Sequence, residues 1–228
     1  MKRLVEPELL DELPPTDPRA ISSRADLRRL NRLMRHAKII CATAGEKLPH
    51  APRRIADLGA GDGSLMLALA KKMHRRWPDV RVTLVDRQKV ASDATLAEFK
   101  KFGWHAEAVA ADVQDWVSAS VNSADAIFAN LFLHHLTDRQ LADLFRFIPL
   151  RTDFFLACET RRTMPSLVVS RLLWLMGCNA VTRHDAVVSM NAGFASAELS
   201  NLWPTGEAWQ LEERGTALFT HLFVAQKN

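Results

Sequence analysis

The sequence predicts an open α/β domain, a doubly wound and mostly parallel sheet, on three observations. A short β-rich run, Arg54 to Leu58, empties into the glycine-rich turn Asp57-Leu-Gly-Ala-Gly-Asp-Gly63. Beyond it, strand-like and amphipathic runs alternate, the pattern of a parallel sheet covered on both faces. Acids stand where the second and third strand-like runs end, at Asp86 and Asp112. A glycine-rich turn directly after a strand is how such a sheet builds a nucleotide site.

In chain order, Pro7, Pro14, Pro15 and Pro18 among acids predict extended chain over residues 6–20. Ser23 with Asp26 has the spacing of a capping box. It would open a helix to about Cys41, with Leu27, Leu30, Met34 and Ala37 on its apolar face. The opposite face, Arg24, Arg28, Arg32 and Arg35, reads as a solvated basic stripe. Periodicity then predicts strand 54–58, helix 65–76, strand 80–85, helix 91–102, strand 105–111, strand 124–131, helix 138–148 and strand 153–158. Thr137 and Gln140 form a capping box that opens the helix at Asp138. Residues 209–214 and 219–226, flanking Gly215, read as an antiparallel pair closing one edge. The domain organisation expected is an N-terminal extension and helix over 1–52 and one α/β domain over 53–228.

The acids in the turn select the ligand. A pyrophosphate would want backbone N–H groups and a helix N-terminus, and Asp57 and Asp62 would repel it. Gly59, Gly61 and Gly63 spell G-x-G-x-G, whereas the dinucleotide fingerprint needs its third glycine where Ser64 stands. S-adenosylmethionine carries a sulfonium and an ammonium and no phosphate, so carboxylates suit it. Asp86, about 20 residues past the turn, stands where a carboxylate accepts from ribose hydroxyls. Asp112 could accept from the adenine amino group.

On these residues the chain resembles the class I S-adenosylmethionine-dependent methyltransferases, clearly over residues 53–160. The resemblance implies a Rossmann-like sheet of seven strands with its last strand reversed. It implies cofactor contacts from Asp57, Gly59, Ala60, Gly61, Asp86, Arg87, Asp112, Val113 and Asn130. Family members acting on small molecules, including those of quinone biosynthesis, are similar in carrying a histidine element after the fourth strand, here Phe132-Leu-His-His-Leu136. His134 and His135 are therefore the catalytic candidates, since imidazole, with a reference pKa of about 6.5, can take a proton from a phenol or enol. Asn130-Leu131-Phe132-Leu133 is not the Asn/Asp-Pro-Pro-aromatic loop used on adenine or amide nitrogen. No cysteine follows a proline, as carbon-5 methylation of cytosine requires, and the chain has no tyrosine to act as a phenolate base.

After the fifth strand, residues 164–178 are apolar almost all round, with Arg171 the single charge. Such a helix must be covered by something. The expectation is a helical lid, inserted over 161–193, that brings Trp174, Arg183 and His184 to an apolar acceptor; the alternative is packing on the domain itself or on a twin subunit in a homodimer. Lysine and arginine number 30 against 26 acids in 228 residues, too mild an excess to indicate a nucleic-acid partner. Cys41, Cys158 and Cys178 form no C-x-x-C pair, which excludes a zinc ribbon, gives no metal site and suits a reducing cytoplasm. No run reaches the ~20 apolar residues of a membrane span, and no signal peptide is evident. The reading is methyl transfer from S-adenosylmethionine to an oxygen of a small apolar phenol, enol or carboxylate. Its rivals are an RNA methyltransferase using the basic N-terminal helix and a silent S-adenosylmethionine-binding module.

Overall fold

The computed structural model describes residues 1–14, 16–119, 123–204, 206, 208–216 and 219–228. Its strands are β1 (Arg54–Leu58), β2 (Arg81–Asp86), β3 (His105–Ala110), β4 (Ala126–Asn130), β5 (Phe154–Thr160), β6 (Trp209–Gly215) and β7 (Thr220–Lys227). They form one seven-stranded sheet in the order β3-β2-β1-β4-β5-β7-β6. The first five strands are parallel, while β7 runs antiparallel between β5 and β6. Strand order reverses between β1 and β4, so the crevice beyond their carboxyl ends is the natural ligand site.

Alternation along the strands makes two cores. Ile55, Phe128, Phe154 and Leu156 point to one face, where Met66 and Leu69 of the helix Ser64–Met73 cover them together with Trp77 and Trp104. Ala56, Ile127, Phe155 and Ala157 point to the other, under Leu141, Leu144 and Phe145 of the helix Asp138–Phe147. Those three positions lie on one helical face. Thr137 and Gln140 make the expected capping box at that helix's start.

The N-terminal region differs from the expectation. The extended segment contains a short helix, α1 (Leu9–Glu12), and the next helix, α2 (Pro18–Met34), begins five residues before Ser23. Proline is favoured in a first helical turn, and Asp17 accepts from Arg19 N as the cap. Ser23 and Asp26 are buried helix-interior residues: the Ser23 hydroxyl meets Thr182 Oγ1 at 2.9 Å, and Asp26 Oδ2 accepts from Asn179 N at 2.8 Å. Arg35, at φ 58°, breaks the helix, which restarts as α3 (His36–Lys47). Pro15 lies outside the described residues.

Two further differences concern the second half of the chain. The apolar run after β5 is a short helix, Met164–Ser170, and a separate 3₁₀ turn, Leu173–Met176. Arg183 and His184 lie with Asp185 on a second, separate helix at Ala180–Ala192. Phe145, fully buried among Phe155, Trp203 and Phe223, ties one core together. Phe145→Ala should cost about 3–5 kcal/mol of stability, measurable by urea unfolding; a loss below about 1 kcal/mol would contradict this packing.

Candidate functional site

The glycine turn is shaped by backbone that only glycine adopts cheaply. Gly59 and Gly61 have φ of 71° and 55°. A Cβ on Gly59 would lie 2.4 Å from the Phe132 ring, whereas one on Gly61 would meet no protein atom within 4 Å. Gly59 therefore locks the turn against the β4 loop, and Gly61 leaves open space for a ligand. Asp86 links β2 to the turn by accepting from Gly61 N at 2.9 Å and from Gln88 N at 3.0 Å.

That open space belongs to a cavity of about 560 Å³, within the roughly 300–1,000 Å³ usual for ligand sites. Asp57, Gly59, Ala60, Gly61, Asp86, Arg87, Asp112, Val113 and Asn130 all line it. Burial, reinforced by the Asp86 charge, pushes the Asp57 carboxyl up to about 8. Asp62, the other acid of the turn, is already answered by Arg28 of α2 at 2.8 Å. Carboxylates without a phosphate cradle, beside the space at Gly61, fit a cationic nucleoside ligand such as S-adenosylmethionine.

The histidines sit on a 3₁₀ turn, Leu133–His135, entered through Leu131 at φ 51°. Glu159, a fully buried acid on β5, holds this turn. Its Oε1 accepts from Phe132 N at 2.9 Å and Leu133 N at 2.8 Å, and its Oε2 lies 2.7 Å from His134 Nδ1. The other ring nitrogen of His134 faces Glu8 Oε1 at 3.4 Å. Burial alone would depress His134, but hydrogen bonds to Glu159 and Glu8 lift it to about 9. His134 is thus an imidazolium at neutral pH and holds no free lone pair for base catalysis. His135 is more open, packs against His134 with ring centroids 4.3 Å apart and planes tilted by 31°, and has Asp11 Oδ2 3.3 Å from Nδ1. Burial opposes ionisation of Asp11, yet His135 holds its carboxyl below the usual range.

Glu8 and Asp11 belong to the N-terminal segment, which closes the cavity. Asp185 accepts from Leu9 N at 2.9 Å and Leu10 N at 3.0 Å, capping α1. Arg3 donates to Leu136 O at 2.6 Å and pairs with Asp138 at 2.7 Å. Leu27, Leu30 and Met34, from the apolar face expected of α2, line the cavity. The covering role expected of 161–193 is therefore filled in large part by residues before 35. Trp174, Arg183 and His184 are not among the cavity-lining residues; Ala186, Ser189 and Met190 of the helix Ala180–Ala192 are. Met164, Val168, Leu172, Trp174, Leu175 and Met176 of the 164–176 run face outward instead, which periodicity could not reveal.

Sequence reasoning missed Glu159, Glu8 and Asp11. The expected strand end at Cys158 fell short of β5 by two residues, and an acid closing an otherwise apolar strand was the available signal. Nothing local marks Glu8 or Asp11, because their partners, His134 and Ser189 for the first and Arg87 and His135 for the second, are far along the chain.

The sheet, the crevice at its order reversal and the carboxylate-lined turn define a Rossmann-like nucleoside-binding domain. Residues 55–148 match a family model described as a methyltransferase domain. Over 179 residues the chain is 29% identical to trans-aconitate 2-methyltransferase of Streptomyces coelicolor, covering 72% of this chain and 54% of that protein. Over 84 residues it is 36% identical to the Escherichia coli enzyme of the same name, covering 37% and 29%. The chain thus spans about half the length of the first relative and less of the second. Among solved structures, the plantazolicin methyltransferase BpumL with S-adenosylhomocysteine superposes with a TM-score of 0.68 at 12% identity, covering 93% and 92% of the two chains. An O-methyltransferase family protein from Burkholderia thailandensis gives 0.63 at 18% identity, covering 93% and 61%. Residues 55–148 are thus similar to a methyltransferase domain in sequence, and the chain shares the fold of solved methyltransferases.

Removing Glu159 would strand a buried imidazolium and two N–H groups. Glu159→Ala should cost about 3–5 kcal/mol, with Glu159→Gln recovering part of it. His134, raised in the folded state, contributes stability that is complete below the unfolded pKa of about 6.5 and is lost as pH rises through 9. Asp57, also raised, adds a loss in the same direction up to about pH 8. The urea midpoint should therefore fall between pH 6 and 9. A midpoint that rises over this range would refute the assignment.

Proposed function

We propose that this chain transfers a methyl group from S-adenosylmethionine to an oxygen of a small, apolar phenol or enol. The observation that carries the reading is that one cavity has two chemically distinct sets of lining residues. Asp57, Asp86 and Asp112 line it at the carboxyl ends of the strands, and Leu10, Leu27, Leu30, Met34, Leu136 and Met190 line it as well. The acids suit a cationic nucleoside and the apolar side chains an apolar acceptor. An acceptor with several carboxylates, as the names of the two relatives indicate for those proteins, would share the cavity with Glu8 and Asp11, and Arg87 there is already paired with Asp11. Arg28 is likewise turned to Asp62.

S-adenosylmethionine, when bound, would supply an electrophilic methyl carbon from which an in-line nucleophile displaces S-adenosylhomocysteine as the neutral leaving group. The chain's own residues must then bind, orient and deprotonate. Asp86 holds the Gly61 N–H and keeps its carboxylate at the cavity wall, where ribose hydroxyls would donate to it. Asp112 is placed to accept from an exocyclic amine. His135, with Asp11 orienting its ring, is the base that takes the acceptor's proton. His134 does not act as base; it keeps its proton, supports the His135 ring by packing against it and fixes the N-terminal segment through Glu8. The segment excludes water from the acceptor, which strengthens the nucleophile.

His135→Ala should lower kcat about 100-fold or more while the affinity for S-adenosylhomocysteine stays within a few-fold. Full activity in that variant would leave alignment as the whole mechanism. Cofactor binding supplies an independent check. A cation entering the cavity favours ionised Asp57, which otherwise keeps its proton up to about pH 8. Affinity should therefore increase with pH up to that point, with proton release visible in calorimetry across buffers of different ionisation heat. Asp57→Asn should abolish the release. Release unchanged in that variant would assign the proton elsewhere.

A further inference from the structure

The segment between β5 and the helix Ala180–Ala192 is inside out. In the helix Met164–Ser170 and the turn that follows, Ser166, Ser170 and Leu173 face inward and are buried. The inward hydroxyls are satisfied locally: Ser166 Oγ meets Thr163 Oγ1 at 2.7 Å and Ser170 donates to Leu167 O at 2.8 Å. Met164, Val168, Leu172, Trp174, Leu175 and Met176 point to solvent, each between 41% and 64% exposed. A helix covering its own domain turns its apolar side inward. Here the small polar side is inward, and large apolar side chains cluster on the surface, the mark of a surface that meets another phase or molecule.

Charge selects the occupant. Residues 160–184 contain no acid, and four arginines. Arg171 and Arg183 are exposed and have no acidic partner among the described residues. Arg29 of α2 adds a third guanidinium at the rim, donating to Met176 O at 3.2 Å while paired with Asp26. Leu33, one turn further along α2, is exposed as well. A second copy of the chain in a two-fold contact would place the same patch on itself, setting arginines against arginines with no acid in the segment to answer them. An anionic bilayer answers both features. Leucine, methionine and tryptophan enter the headgroup boundary, and arginines remain among the lipid phosphates. No helix of the described residues is long and apolar enough to cross a membrane, so contact would be interfacial.

We propose that Met164–Met176, with the Arg29, Arg171 and Arg183 rim, docks the protein on the surface of an anionic lipid membrane. This docking is separate from the cavity, since none of its residues lines it, and it holds whichever acceptor the cavity takes. The test is sedimentation of the full chain with vesicles of phosphatidylcholine, alone or mixed with phosphatidylglycerol. The native chain should sediment with the mixed vesicles and be released as salt screens the arginines. The exposed-site variant Leu172→Ser/Trp174→Ser/Leu175→Ser should lose binding about 10-fold or more. Arg171→Glu/Arg183→Glu should lose it on mixed vesicles. Affinity of all variants for S-adenosylhomocysteine, by calorimetry, should match the native value and show that they fold. Absence of native binding to mixed vesicles would overturn the proposal, as would equal binding by the triple variant. A native dimer in light scattering that the triple variant dissolves, without vesicle binding, would make the patch a self-interface and also overturn it.

Discussion

The site depends on one buried carboxylate. Glu159 stands at the carboxyl end of β5 and reaches across to β4's loop, where two N–H groups and the His134 ring converge on it. A carboxylate with no solvent exposure is costly unless its lone pairs are filled, and here three donors fill them. The consequence is mechanical as well as electrostatic. Leu131 is held in a left-handed conformation and Phe132 is pressed against Gly59, so the histidine turn and the glycine turn keep a fixed relation. Without that anchor, neither imidazole would have a defined direction.

From this anchor a chain of charges runs outward. Glu159 fixes the His134 imidazolium, His134 faces Glu8, and the Ser189 hydroxyl also donates to Glu8. Parallel to it, Asp11 meets His135, and Asp185 holds the backbone between the two acids. The N-terminal segment is thus attached to the reactive end of the sheet by ionisable groups rather than by an apolar seam. Apolar contact is left for the ligand-facing side, where Leu10, Leu27 and Leu30 line the cavity. This division explains why an amphipathic helix with a modest apolar face can be held in place without burying that face in a core.

The sheet, and the residues of the glycine turn and strand ends that line the cavity, were legible in the sequence because both rest on local rules. Strand alternation, the capping box at Thr137 and the glycine turn each need only a few neighbouring residues, and Asp57, Asp86, Asp112 and Asn130 follow from where strands end. What could not be read depends on distant partners. Ser23 and Asp26 match a helix start by spacing, yet Asp17 with Pro18 begins the helix, because Ser23 and Asp26 are committed to Thr182 and Asn179. The 164–176 run is apolar on every side in sequence; only the placement of Ser166 and Ser170 under neighbouring chain shows which side faces out. Residues after β5 were expected to provide the cover, and residues before β1 provide much of it.

The pairing of closure with charge has a chemical consequence. His134 is held protonated by two carboxylates, one permanent and one carried by the N-terminal segment. Glu8 and Asp11 stand three residues apart on that segment and meet the two imidazoles together, so the contacts that direct both rings rest on one short stretch of chain. On the proposed reading, an acceptor bringing its own negative charge would lie beside Glu8 and Asp11 and be disfavoured, whereas a neutral apolar one would not.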